Sequence, residues 1–155
     1  MRIGIIVHSH TGNTLSVAQR LREKLLSVGH AVNLEQVVPF DDREMKVDNV
    51  RLKAKPEAGE YDALIFGAPV RGASLSPAMA AYLAQCSSLA DKITACFVTE
   101  FFPFPWMGGN RAVAQMKAAC AGKGCDVRVT GVVNWSNGRR QKMIDDVVGE
   151  ISEVF

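Results

Sequence analysis

Nowhere does the chain hold the ~20 consecutive apolar residues that a membrane-crossing helix requires. The apolar stretch at its start, Ile3-Gly4-Ile5-Ile6-Val7, is too short for a secretion signal, so a cytoplasmic location is expected. An excess of one charge sign is also missing. The 18 Lys and Arg against 16 Asp and Glu leave a net +2, which offers no footprint for nucleic acid and no strongly acidic surface. Cys86, Cys96, Cys120 and Cys125 form no C-x-x-C pair and have no neighbouring histidine in sequence, so no metal centre is expected. They read as reduced structural thiols, with Cys125, after Gly122-Lys123-Gly124, the most exposed of them. There is no recognisable catalytic triad or carboxylate pair, no internal repeat and no low-complexity linker. A length of 155 residues suits one domain over 1–155.

What is present is an alternation of two hydrophobic periods. Ile3–Val7, Ala63–Gly67, Ile93–Thr99 and Val127–Val133 are short, nearly continuous apolar runs of the kind buried on both faces of a sheet, and Ala31–Val38 reads as another strand. Between them, Leu15–Val28, Pro77–Leu89, Gly109–Ala121 and Arg139–Val154 carry helical spacing, with Pro77 suited to a first turn and Gly29 and Gly122 to helix ends. Pro39–Glu60 is charged and patternless, with at most a short helix around Asp41–Met45. Five strands alternating with helices define an α/β protein with a parallel sheet covered on both faces. In such a fold ligands collect beyond the carboxyl ends of the strands. The loops expected there, 8–14, 67–77 and 99–110, are also the chain's most Gly-, Ser-, Thr- and Pro-punctuated loops.

The first loop, Val7-His8-Ser9-His10-Thr11-Gly12-Asn13-Thr14, joins a buried strand to a helix start, where free N–H groups and the helix dipole favour an anion. Ser9, Thr11 and Thr14 add hydroxyls, Asn13 an amide, and Gly12 permits close backbone approach. Simple helix capping by Ser9 or Asn13 would explain one polar residue, not this whole set. A P-loop needs a lysine after the glycine, and a dinucleotide fingerprint needs two further glycines; neither occurs. A cysteine phosphatase and a phospho-acceptor receiver are excluded by His8-Ser9 and Gly67-Ala68, which stand where a cysteine or an acidic cluster is required. Among the histidines, His10 is a candidate phosphate partner when protonated, whereas His8 and His30 read as structural or solvent-exposed.

Ile5 to Leu21 resembles the FMN-phosphate signature of the flavodoxin family, with Ser9, Gly12, Thr14, Ala18 and Leu21 in register and Val7 where an aromatic is usual. The resemblance implies a flavodoxin-like three-layer α-β-α sandwich with a five-stranded parallel sheet of order 2-1-3-4-5, its second helix short or missing. It implies FMN as cofactor and places Pro69, Val70, Arg71 and Gly72 of the second loop along the flavin ring. Arg71 then either stabilises charge on the ring or is a surface arginine. Electron-carrier flavodoxins stack an aromatic from this loop on the ring; none lies between Gly67 and Pro77.

The third loop, from Thr99 to Asn110, places four large rings, Phe101, Phe102, Phe104 and Trp106, within six positions. Those rings suit a wall of a flat pocket, a contact for a partner or second subunit, or in part a hydrophobic plug. Thr99 is a further cofactor candidate, Trp106 a candidate flavin or substrate contact, and Gly108-Gly109 a close backbone approach. Three functions remain: an FMN-dependent oxidoreductase of quinone-like or other flat acceptors, an electron carrier between redox proteins, and a flavin-free binding module. A homodimer is compatible with the first. Thr14→Ala and Gly12→Val are expected to weaken FMN binding, the former by ~1.5–3 kcal/mol, read by flavin fluorescence titration.

Overall fold

In the computed structural model, which describes all of residues 1–155, the elements run in this order. Strand β1 (Arg2–Val7) leads into helix α1 (Asn13–Ser27) and strand β2 (Ala31–Gln36). A small hairpin of β3 (Val38–Pro39) and β4 (Leu52–Ala54) follows, then β5 (Ala63–Arg71), β6 (Ser74–Leu75) and α2 (Pro77–Gln85). The chain closes with β7 (Ile93–Glu100), α3 (Gly109–Gly122), β8 (Asp126–Asn134) and α4 (Arg140–Ser152). The main sheet is parallel in the order β2-β1-β5-β7-β8, the 2-1-3-4-5 arrangement, with short β6 turned back antiparallel on β5.

The continuous apolar runs are explained by two cores. Alternate residues of each strand point to opposite faces. Ile3, Ile5, Val7, Ala63, Ile65, Ala95 and Phe97 meet Val17, Ala18, Leu21 and Leu25 of α1 and Ile144, Val147, Val148 and Ile151 of α4. Ile6, Leu64, Phe66, Cys96 and Val98 meet Met79 and Leu83 of α2 and Met116 and Cys120 of α3. The two clusters hold 17 and 19 buried residues, so neither face of the sheet dominates. Complete burial of such aliphatic and aromatic side chains stabilises by ~1.5–3 kcal/mol each.

Several boundaries differ from the sequence expectation. No helix forms at Asp41–Met45; the crossover from β2 to β5 carries only the β3–β4 hairpin and single 3-10 turns at Val47–Asn49 and Ala58–Glu60. Its residues lack an apolar stripe that a helix would bury, so local hairpin pairing prevails. Helix α2 stops at Gln85, four residues early, because Cys86 turns extended. Strand β5 continues past Gly67 to Arg71: it pairs with β7 as far as Pro69↔Thr99 and then turns on Gly72 and Ala73, both at φ 59°, into β6. Cys125 is buried rather than exposed, since Gly124 at φ 92° folds the chain back so that the Cys125 N–H donates to the Cys120 carbonyl.

Glycine is sterically required at Gly67. A Cβ there would lie 2.2 Å from Cζ of Phe97, inside the ring's own volume. Gly67→Ala is expected to cost ~1–3 kcal/mol in urea unfolding, and a second change, Phe97→Leu, should recover part of that loss.

Candidate functional site

The three loops meet at the carboxyl ends of β1, β5 and β7, where β1 lies between α1's crossover to β2 on one side and β5 on the other. They enclose an open cleft of about 340 Å³ lined by His10, Thr11 and Asn13, by Pro69, Val70, Arg71 and Gly72, and by Thr99, Glu100 and Phe101, with Met45 at its edge. That size suits a small-molecule site. No group of three or more His, Cys, Asp or Glu side chains is placed to hold a metal ion.

Gly12, at φ 97°, ends the loop and begins α1; a Cβ on it would face open space. The capping role falls to Ser9, whose Oγ accepts from the Leu15 N–H at 3.3 Å. The N–H groups of Asn13 and Thr14, in the first turn, have no intrahelical partner and point with the positive end of the helix dipole. Thr11 is exposed beside them, and Thr14 is buried with its Oγ1 2.7 Å from Oγ1 of Thr99, which ties the first loop to the end of β7.

A residue from the patternless crossover completes the site. Asp42 reaches the loop: its Oδ1 lies 2.7 Å from His8 Nε2, its Oδ2 contacts His10 Nδ1, and its backbone carbonyl accepts from Arg71 Nη1. The Arg71 guanidinium also stands 3.7 Å from Oδ1. His8, 1 % exposed, has its Nδ1 2.9 Å from Ser76 Oγ. Ser76 is the N-cap of α2 and accepts from the Met79 N–H; the Asp42 carboxylate can only accept from Nε2, so a neutral His8 takes the Ser76 hydroxyl proton at Nδ1. Nε2 then carries the imidazole proton and donates it to Asp42. Ser76, His8 and Asp42 therefore form a Ser–His–Asp series. Ser76 is completely buried under α2 and does not line the cleft, so the series is structural.

Burial pushes the His8 pKa down, and the Asp42 hydrogen bond only partly offsets it. Burial raises the Asp42 carboxyl, but hydrogen bonds from His10 and His8 outweigh it and hold the group below the ordinary carboxylate range. The network thus favours a neutral imidazole on an ionised carboxylate.

The third loop divides into a held backbone and displayed rings. Its carbonyls are anchored to the turn after β8: Phe101 by Ser136 N–H and Oγ, Phe102 by Asn134 Nδ2, and Pro103 by Asn137 Nδ2. Phe101, Phe102, Phe104 and Trp106 all remain exposed, Phe101 at 71 % and Trp106 at 72 %. Phe104 and Trp106 stack on each other with centroids 4.5 Å apart, so Trp106 stands on the rim and does not line the cleft. Gly108 lies against Ala73 and Val70, and the Gly109 N–H donates to Glu100 Oε2; both glycines dock the loop on the protein interior.

The structure therefore brings His10, Thr11, Asn13, Pro69, Val70, Arg71, Gly72 and Thr99 to one cleft, with Ser9, Gly12 and Thr14 directly behind it. Sequence reasoning missed Asp42, Met45 and Glu100. The available signals were histidines at a strand end, which need a partner once buried, and a carboxylate closing a mostly apolar strand.

The arrangement defines a doubly wound α/β protein with a polar, glycine-containing helix start at the switch in strand order. A family model described as a flavodoxin domain matches residues 4–103. Solved structures agree in fold: oxidised flavodoxin 2 from Bacillus cereus covers 100% of both chains with a TM-score of 0.70 at 19% identity, and a flavodoxin from Streptococcus pneumonia does so with 0.68 at 17%. A curated relative from Archaeoglobus fulgidus, named NAD(P)H dehydrogenase (quinone), is 29% identical over 72% of this chain and 66% of its own length. The chain spans just under two thirds of that relative. The chain belongs to the flavodoxin family, and FMN is its cofactor. No helix is long and apolar enough to cross a membrane.

The His8 network has a signed pH signature. His8 starts from an ordinary value of 6.5 and is lowered on folding, so the unfolded chain takes up the proton first and stability falls as pH drops below about 6.5. Asp42, lowered from 3.8, adds a second loss at more acidic pH. His8→Gln is expected to unfold at lower urea than wild type at pH 8, and that gap should narrow steadily on acidification through 6.5.

Proposed function

We propose that the chain is an FMN-dependent oxidoreductase whose acceptors are flat, quinone-like molecules that reach the cofactor across the open side of the cleft. The observation that carries this reading is the cleft itself. An anion-binding helix start, a β-hairpin and a strand end converge on it, and its outer rim is aromatic. The residues fit FMN. The first-turn N–H groups with Ser9, Thr11, Asn13 and Thr14 supply neutral donors for the phosphate, the open space over Gly12 allows its approach, and His10 adds a further donor when protonated. Pro69, Val70, Arg71 and Gly72 supply one wall for the ring, and Thr99 with Phe101 another.

Bound FMN supplies the redox chemistry; the protein supplies its placement and surroundings. Arg71 brings positive charge to the ring side of the cleft, and the absence of an aromatic in the β5–β6 hairpin leaves the ring's outer face free for a second flat molecule. The name of the Archaeoglobus fulgidus relative supports the same class of acceptor. Trp106 and Phe104 serve on the acceptor side rather than as cofactor contacts, while Gly108 and Gly109 hold their loop against the hairpin. The 155 residues act as one cytoplasmic unit in this reading, and a second copy over the aromatic rim is compatible with it.

The exposed rings favour a second reading, an electron carrier docking a redox protein on the same loop, because rings this exposed mark contact surfaces. The test begins with an absorption spectrum of purified protein before and after addition of FMN, followed by turnover with NAD(P)H and a benzoquinone. Two-electron turnover is the expected result; exchange of single electrons with a redox protein and no quinone turnover would establish the carrier. Trp106→Ala combined with Phe104→Ala should lower kcat/KM for the quinone roughly tenfold, ~1.4 kcal/mol, and leave FMN affinity unchanged.

A further inference from the structure

One cleft residue is a carboxylate. Glu100 closes β7, lines the cleft, and is only 2 % exposed. Its two carboxyl oxygens meet different surroundings. Oε2 accepts from the Gly109 N–H at 3.1 Å and from Asn134 Nδ2 at 2.8 Å. Oε1 is buried and has no hydrogen-bond partner. Asn134, itself buried, has its Oδ1 in the same condition.

The pair thus presents two unpartnered acceptors and lacks a proton. A buried polar atom without a partner costs about 1–3 kcal/mol, and an ionised one more. No Lys, Arg or His side chain forms an ion pair with Glu100 that would offset ionisation. A proton on Oε1 removes the charge and converts the orphan acceptor into a donor. The electrostatics run the same way: burial raises the Glu100 pKa, and the Asn134 and Gly109 donors only partly oppose it.

We propose that Glu100 carries a proton at Oε1 and is the proton donor of the cleft, delivering it to the carbonyl oxygen of the acceptor. This rests on the oxidoreductase reading. Reduction of a quinone-class acceptor consumes two electrons and two protons. FMN, when bound and reduced, would supply the electron pair together with one proton. Glu100 supplies the other: its Oε1–H bond breaks and an O–H bond forms on the acceptor oxygen. The carboxylate left behind keeps both donors on Oε2, stands at the positive end of α3, and is reprotonated from water. The groups facing it are the Gly109 N–H from α3 and the Asn134 amide from β8, with Arg71 and His10 elsewhere on the cleft lining.

The decisive experiment is a ¹³C NMR titration of protein labelled at the glutamate carboxyl carbon, with Glu100→Gln assigning the signal. Glu100 is expected to titrate at higher pH than the exposed glutamates, with and without FMN. A titration alongside them overturns the proposal and leaves the oxidoreductase reading intact. Benzoquinone reduction supplies the second readout. Wild-type kcat should fall as pH rises through the Glu100 titration. Glu100→Gln should lose roughly 10²-fold in kcat with that pH dependence gone, KM and FMN affinity being retained, and Glu100→Asp should restore part of the pH-dependent rate. Unchanged kcat and pH profile in Glu100→Gln would refute the donor role. A wild type that reduces no quinone defeats the oxidoreductase reading, and with it the delivery step, while the titration still decides whether Oε1 holds a proton.

Discussion

A parallel sheet packed on both faces leaves no place for polar side chains within its layer, and that constraint organises this molecule. Ile3, Ile5, Ile6, Leu64, Ile65 and Phe66 occupy both sides of the central strands without interruption. The polar side chains of the central strands that face or back the cleft sit where each strand leaves the sheet: His8 after β1, Arg71 at the end of β5, Thr99 and Glu100 at the end of β7. All of them fall at the same end because the strands are parallel, and the switch in strand order opens the gap between them. The cleft is a consequence of that packing, and its chemistry comes from the residues at the strand ends.

Asp42 links the parts of this end that the sheet does not. It belongs to a crossover without a helix, yet its carboxylate meets His8 and His10 and its carbonyl meets Arg71. One side chain thus connects the end of β1, the first loop and the β5–β6 hairpin. His8 extends the connection through Ser76 to the first turn of α2. A crossover that contributes little apolar packing is held by polar contacts, and these depend on protonation state in a way that core contacts do not.

The aromatic loop shows the opposite division. Its backbone is bound to the turn after β8, while its rings lie in solvent. Leaving four large rings exposed forgoes the stabilisation their burial would bring. The anchored carbonyls keep them in a defined position instead of letting them collapse onto the protein. Glu100 sits at the base of this loop, so the aromatic surface and the proposed proton donor share one anchor, the Asn134 side chain.

The amino-acid sequence by itself determined the five core strands, the four helices, the polar, glycine-containing loop at the start of the first helix and the second crossover as irregular. Each of these is written in local patterns: apolar runs, helical spacing, and hydroxyls around Gly12. Tertiary structure alone decided the rest. The extension of β5 through Pro69 to Arg71 depends on pairing with β7 and on the turn at Gly72 and Ala73, partners that no local window contains. The role of Asp42 depends on a carboxylate meeting histidines more than thirty positions away. The orphaned Oε1 of Glu100 exists only once β7, α3 and β8 close around it. Hydrophobic periodicity is short-range information along the chain, whereas the pairing or isolation of a polar atom is settled by whatever the folded chain places beside it.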